Sequence, residues 1–139
     1  MRALFDTSVI LASLDPDEPH HAACDRLLSG GGHALYIHAL AETFSILTGG
    51  RNNRRLSAAT VVTLIKDSVL PYVKTQALSA TDVMSAISEC NARGVRGGAI
   101  YDLLHLSAAR KAGVDTLVTL DLRNFQALAQ PGDLRIERP

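Results

Sequence analysis

Four carboxylates in this chain of 139 residues stand where a charge is hard to accommodate. Asp6 ends the apolar run Ala3-Leu4-Phe5, and Asp121 ends Thr116-Leu117-Val118-Thr119-Leu120. Glu42 and Asp102 each interrupt an otherwise apolar helical pattern. Acids at element ends and on apolar faces destabilise a fold unless something pairs with them. No run of Lys or Arg lies beside any of the four, so a metal ion is the simplest shared partner. The chemistry that follows is metal-dependent hydrolysis.

Each acid also has a purely structural explanation. Asp6 or Thr7 could cap a first helix. Asp121 could sit in a turn. Asp102, near a helix start, is favoured by the helix dipole. Glu42 falls off the stripe Leu40, Phe44 and Leu47 that is expected to face the core, which leaves a solvated position open. Its neighbours Ala39, Ala41, Ser45 and Ile46 are small or apolar, however, and argue against an open wet face. Asp102 is likewise surrounded by apolar residues.

The elements that must position these acids follow from local pattern. Residues 3–5 predict a short buried strand, and Thr7 or Ser8 the cap of a helix through 9–14. A second helix is expected over 18–28, with Pro19 in its first turn and Gly30-Gly31-Gly32 beyond its end. Residues 34–37 read as a strand and 38–47 as a helix. Ser57 caps a helix through 69, which Pro71 breaks. Residues 72–78 form a third strand, and Ser79-Ala80-Thr81-Asp82 opens a helix to 92. A loop over 93–98 leads to a helix over 99–112 closed by Gly113. A strand over 116–120, a short helix over 125–129 and a strand over 134–136 complete the chain. Short apolar strands alternating with helices predict a three-layer α/β/α fold with a small, mostly parallel central sheet. Ligands in such folds bind outside the carboxyl ends of the strands.

Composition bounds the function. The chain is 47% hydrophobic and 20% charged, which suits a single domain over 1–139. Lys plus Arg and Asp plus Glu both number 14, so bulk charge carries no nucleic-acid signature. If a metal engaged the four acids, ten acidic groups would remain against 14 basic ones, which permits a polyanionic substrate. Cys24 and Cys90 are too few for a disulfide framework or a zinc site. Asp6 interrupts any leader-like run, and no stretch is long enough to span a membrane. A cytoplasmic protein with no membrane association is expected. No phosphate loop, nucleophile elbow or Cys–His pattern is present. An aspartyl-phosphate enzyme would want a second acid where Ser8 stands.

Four motifs carry a family resemblance. They are Asp6-Thr7-Ser8 after the first strand, Glu42 after the second, Tyr101-Asp102-x-x-His105-Leu106-x-x-Ala109, and Thr119-x-Asp121-x-x-Asn124-Phe125. Together they resemble the PIN-domain nucleases and, in size and motif order, the VapC-type toxins of bacterial toxin–antitoxin pairs. The resemblance spans essentially the whole chain. It implies a PIN-like fold and an endoribonuclease dependent on Mg²⁺ or Mn²⁺, with Asp6, Glu42, Asp102 and Asp121 as catalytic acids and metal ligands. Oxygen donors agree with those ions and disfavour zinc. Thr7, Ser8, Thr119 and Asn124 would orient the acids or the metal's waters. Acids gathered in this way repel one another without metal, so at least one pKa should rise. The resemblance further implies an RNA substrate, a small antitoxin partner and a homodimer. The alternatives are a stand-alone RNA-processing PIN nuclease and a catalytically silent PIN-like protein-binding module.

Phosphate contacts are expected from Arg51, Arg54, Arg55, Arg93 and Arg96. With three Tyr and three Phe, several of them in the core, no aromatic stacking platform is expected. His105 reads as a packed residue or a support for a ligand rather than as a ligand or proton carrier. The apolar sides of the first two helices, 9–14 and 22–28, are expected to offer a groove to a partner helix.

Overall fold

The computed structural model describes residues 1–49 and 55–139. Among them the element order is β1 (Ala3–Phe5), α1 (Thr7–Leu14), α2 (His21–Ser29), β2 (His33–Tyr36), α3 (His38–Gly49), α4 (Ala58–Ser68), β3 (Val73–Gln76), α5 (Ala80–Arg93), α6 (Ala99–Ala112), β4 (Thr116–Val118), α7 (Leu122–Leu128) and β5 (Arg135–Glu137). Pro71 lies in a 3-10 turn between α4 and β3. Every strand pairing is parallel, in the order β3-β2-β1-β4-β5.

The period-two alternation of the strands sets the layers. Leu4, Ala34, Tyr36 and Leu117 pack on one face with Ala86 of α5, Leu103 and Leu106 of α6 and Phe125 of α7. Ala3, Phe5, Leu35 and Val118 pack on the other with Val9 and Ile10 of α1, Cys24 and Leu28 of α2 and Ala39 of α3. The result is the three-layer α/β/α arrangement that the pattern of elements predicts. No helix among the described residues is long and apolar enough to cross a membrane.

Several local expectations need correction. The cap of α1 is Asp6, not Thr7 or Ser8: its Oδ1 accepts from the Val9 N–H at 3.4 Å. Helix α2 begins at His21 because Glu18 turns the chain, its Oε2 accepting from the His20 N–H at 2.6 Å. Such local side-chain bonds compete with helix formation, and Pro19 stays outside the helix. Strand β4 stops at Val118. Thr119 N–H still bonds Glu137 O at 3.0 Å, and the chain then turns so that α7 starts at Leu122. The caps at Ser57 and Ser79 form as expected, and Gly113 closes α6 at φ 67°, a conformation that favours glycine. In α3 the inward stripe is Ala39 and Thr43, while Phe44 is 38% exposed. The face carrying Glu42, next to Thr43, therefore turns inward more than the hydrophobic pattern suggests.

Candidate functional site

In this strand order β1 lies between β2 and β4, and the direction of winding reverses there. The carboxyl edge at that switch is where parallel sheets open a crevice. Helices α1, α3 and α7 begin at this edge because each follows a strand directly. Helix α6 leads into the amino end of β4, so its own first turn lies at the carboxyl edge as well. Asp6 and Asp121 occupy the N-cap positions of α1 and α7, Asp102 the first turn of α6, and Glu42 the second turn of α3. Helix N-termini are partially positive, and carboxylates are favoured beside them.

Asp6 is 6% exposed and engaged through both oxygens. Oδ1 accepts from Ser8 Oγ at 2.5 Å, in addition to the cap bond, and Oδ2 accepts from Thr119 Oγ1 at 2.8 Å. Thr119 Oγ1 in turn accepts from the Asp121 N–H at 2.8 Å, and Ser8 Oγ from the Leu120 N–H at 3.0 Å. Asn124 Nδ2 donates to Asp121 Oδ2 at 2.7 Å. These bonds tie the end of β1 to the start of α7. Burial pushes the Asp6 carboxyl above its ordinary value, against the pull of the Ser8 and Thr119 bonds.

Glu42 and Asp102 approach from α3 and α6. His105 Nε2 donates to Glu42 Oε1 at 2.8 Å. The His105 ring is 2% exposed and meets Tyr36 and Phe125 edge-on, with centroids 5.3 and 6.4 Å away. Its Nδ1 has no partner. His105 is thus a packed residue that holds Glu42. Burial alone would push the Glu42 carboxyl up, but the His105 bond and the charges of His105 and His38 bring it below its ordinary value. Asp102 is half-buried and makes no hydrogen bond among the described residues. Burial pushes its carboxyl up, and so do the charges of Asp121, Asp6 and Glu42, with His105 opposing them. Asp102 therefore feels the charge of Asp6, 96 residues away in sequence.

Among the described residues no three His, Cys, Asp or Glu side chains stand close enough to share a cation as they are. The chemistry of the donor set nevertheless fits a hard divalent ion. It is all oxygen, Asp102 has no bond to give up among the described residues, and the buried Thr7 hydroxyl faces Glu42 within reach of its carboxylate.

The basic residues separate into three groups. Arg96 is exposed in the turn before α6. Arg93 is taken up by Glu89, at 3.0 Å, with most of its side chain covered. Arg55 is exposed, whereas Arg51 and Arg54 lie outside the described residues.

Two residues were missed at the level of sequence. The His38 and Tyr101 rings stack at 5.6 Å with 11° between their planes, and Tyr101 is 51% exposed. An aromatic platform therefore does exist beside the acids. Its signal was local: His38 stands four residues before Glu42 on α3, and Tyr101 immediately precedes Asp102.

The expected partner groove is also corrected. Val9, Ile10, Ala12, Cys24 and Leu28 are buried in the chain's own core, so those faces of α1 and α2 are not available. An open cleft of about 850 Å³ lies instead between α1, α3 and α4, lined by Leu11, Leu14, Ile46, Leu47 and Leu64, and it reaches Ser8 and Leu120 beside Asp6.

Known structures share this architecture. The VapC20 toxin of Mycobacterium tuberculosis, described as cleaving the sarcin–ricin loop, superposes with a TM-score of 0.71 at 20% identity, over 99% of both chains. A chain of VapBC2 from Rickettsia felis, solved on a promoter DNA fragment, gives 0.67 at 19% identity, over 100% of this chain and 99% of that one. A chain of FitAcB from Neisseria gonorrhoeae gives 0.65 at 18%, over 97% and 96%. At these identities the likeness shows the fold alone. No curated protein matches the sequence. The family model of the PIN domain matches residues 3–131, nearly the whole fold and all four acids. This chain is a member of the PIN-domain family.

Proposed function

We propose that this protein is an endoribonuclease that uses Mg²⁺ or Mn²⁺ and acts as the toxin of a toxin–antitoxin pair, with residues 1–139 forming one nuclease domain. The observation that carries the reading is the placement of Asp102, half-buried in the first turn of α6 at the carboxyl edge of the sheet. Its carboxyl is pushed up by burial and by three other acids, each from a different segment, and it has no hydrogen bond of its own. Such an arrangement is relieved by a cation.

In this reading Asp6, Glu42, Asp102 and Asp121 hold the ion, with Asp102 drawing toward the others on binding. A bound Mg²⁺ or Mn²⁺ supplies an acidified water and offsets charge on the leaving oxygen. The chain does the positioning. Ser8 and Thr119 fix Asp6, Asn124 fixes Asp121, and His105 fixes Glu42. The buried Thr7 hydroxyl stands by Glu42 and would help to orient that carboxylate. Arg96 is the described cation best placed in sequence to meet a phosphate, six residues before Asp102, and Arg51, Arg54 and Arg55 extend that role.

The partner reading follows the family. The similar VapBC2 structure was solved bound to a DNA fragment from its promoter. The apolar cleft between α1, α3 and α4 suits an amphipathic helix of an antitoxin, and a homodimer is part of the same reading.

The test is cleavage of structured RNAs by the purified protein with Mg²⁺ or Mn²⁺, beside an EDTA control and Asp102→Asn. Asparagine keeps the shape at a position that has no hydrogen bond to lose. Cleavage abolished in both controls supports the reading. If the wild type neither cleaves nor binds Mn²⁺ by calorimetry, the chain is a silent protein-binding module.

A further inference from the structure

We propose that the stacked rings of Tyr101 and His38 are a seat for one unpaired RNA base next to the acidic cleft. The inference rests on the nuclease reading and adds to it a defined part of the substrate: a single-stranded nucleotide whose base lies flat on an aromatic surface.

The geometry is that of a platform. The two rings are nearly parallel and offset, at 11° and 5.6 Å, and they come from the two helices that also carry Glu42 and Asp102. His38 opens α3 and Tyr101 lies in the first turn of α6, so the stack bridges the mouth of the cleft between them. A tyrosine that is 51% exposed leaves much of its ring in water, where an aromatic surface is unfavourable unless it is used. The support beneath is rigid. His38 also meets Tyr36 at 6.0 Å, and Tyr36 is 93% covered in the core and edge-on to His105. Aromatic contacts, tilted below and stacked at the top, thus run from the sheet to the surface and hold the outer ring in place.

The chemistry fits a base better than a phosphate or a sugar. Rings offer π-faces, which every nucleobase matches, and stacking of this kind is tolerant of base identity. The nearest described cation in sequence is Arg96, exposed in the loop that precedes α6, a residue type suited to a phosphate of the same nucleotide strand. Duplex RNA does not present a base face to such a surface, so the platform selects a loop, bulge or single strand.

The experiment uses the full chain and a short single-stranded RNA carrying 2-aminopurine at one position at a time. Asp121→Asn serves as the background, to slow cleavage during binding. Stacking should quench the fluorescence at one position only. Tyr101→Ala should remove that quench and weaken binding about five- to a hundred-fold, the range of one base–aromatic stack. Tyr101→Phe should retain both, and His38→Phe should retain more than His38→Ala. In the cleaving enzyme, Tyr101→Ala should raise KM with kcat changed much less. Tyr101 is exposed, so Tyr101→Ala should fold with an unchanged melting temperature. If Tyr101→Ala cleaves with an unchanged KM, the platform is overturned while the nuclease reading stands, and the pair belongs to a protein contact. If RNA is cleaved but no position is quenched, the platform is equally overturned. If the wild type cleaves no RNA with any metal, the nuclease reading falls and the inference falls with it.

Discussion

Asp6, at the end of β1, accepts three hydrogen bonds, whereas Asp102, in the first turn of α6, accepts none among the described residues. Both carboxyls are pushed above their ordinary value, but for different balances of cause. Burial dominates at Asp6 and hydrogen bonds offset part of it. At Asp102 burial is joined by repulsion from Asp121, Asp6 and Glu42. One side of the cleft is thus pre-organised and the other is left open. A site built on this plan keeps its geometry without a ligand on the first side and reserves its binding energy for the second.

The comparison can be broken first at its open side. Asp102→Asn should lower RNA cleavage by more than about 100-fold, above the 10- to 100-fold range for residues that only support a ligand. Its effect on folding should be small or stabilising, because a repelled charge is removed. Equilibrium unfolding in urea beside a cleavage assay checks both. On the built side, Thr119→Val should show the reverse balance. It leaves the buried Asp6 Oδ2 without its partner, at about 1–3 kcal/mol, and frees the Asp121 N–H to water. Cleavage should fall about 10- to 100-fold. A Thr119→Val protein with wild-type stability would mean that the network is not what holds Asp6.

The Glu42 side should respond in between. His105→Leu removes the bond to Glu42 and should weaken Mn²⁺ binding about tenfold, while His105→Gln, whose amide can reach the same oxygen, should recover most of it. Calorimetry with Mn²⁺ distinguishes the two variants.

Acidification should produce the smallest effect, with a definite sign. The folded state holds the protons of Asp6 and Asp102 more tightly than the unfolded chain, whose aspartates titrate near 3.8. Stability of the metal-free protein should therefore rise as pH falls from neutrality through the raised values. Glu42, Asp133 and Asp82 act oppositely. Their carboxyls are held low, Asp82 at about 2 beside Lys111, and their contribution is lost on further acidification. A melting curve from pH 7 downward should pass through a shallow maximum, and Asp102→Asn should reduce the rise before it.

The fold was legible in the sequence where the signal was local. Alternating apolar strands and helices predicted the layers, and Ser57, Ser79 and Gly113 marked real helix ends. The four acids were legible because each broke an apolar pattern. What escaped was what neighbouring segments decide. The inward face of α3 is set by α1, α4 and the sheet, so Thr43 is buried and Phe44 is not. The faces of α1 and α2 looked available because periodicity does not say which element covers them, and they cover each other and the sheet. The His38–Tyr101 stack joins residues 63 positions apart, so each segment shows an aromatic ring near an acid but not that the two rings meet.

The central claim is that Asp102 is the acid left open for a divalent cation. Titration of the metal-free protein with Mn²⁺, by calorimetry in two buffers of different ionisation enthalpy, tests it most directly. The account expects binding with release of protons, a gain of about 2.7 kcal/mol in stability at a hundred times Kd, and loss of both in Asp102→Asn. Binding that is equally tight in the variant, or none in the wild type, would contradict it.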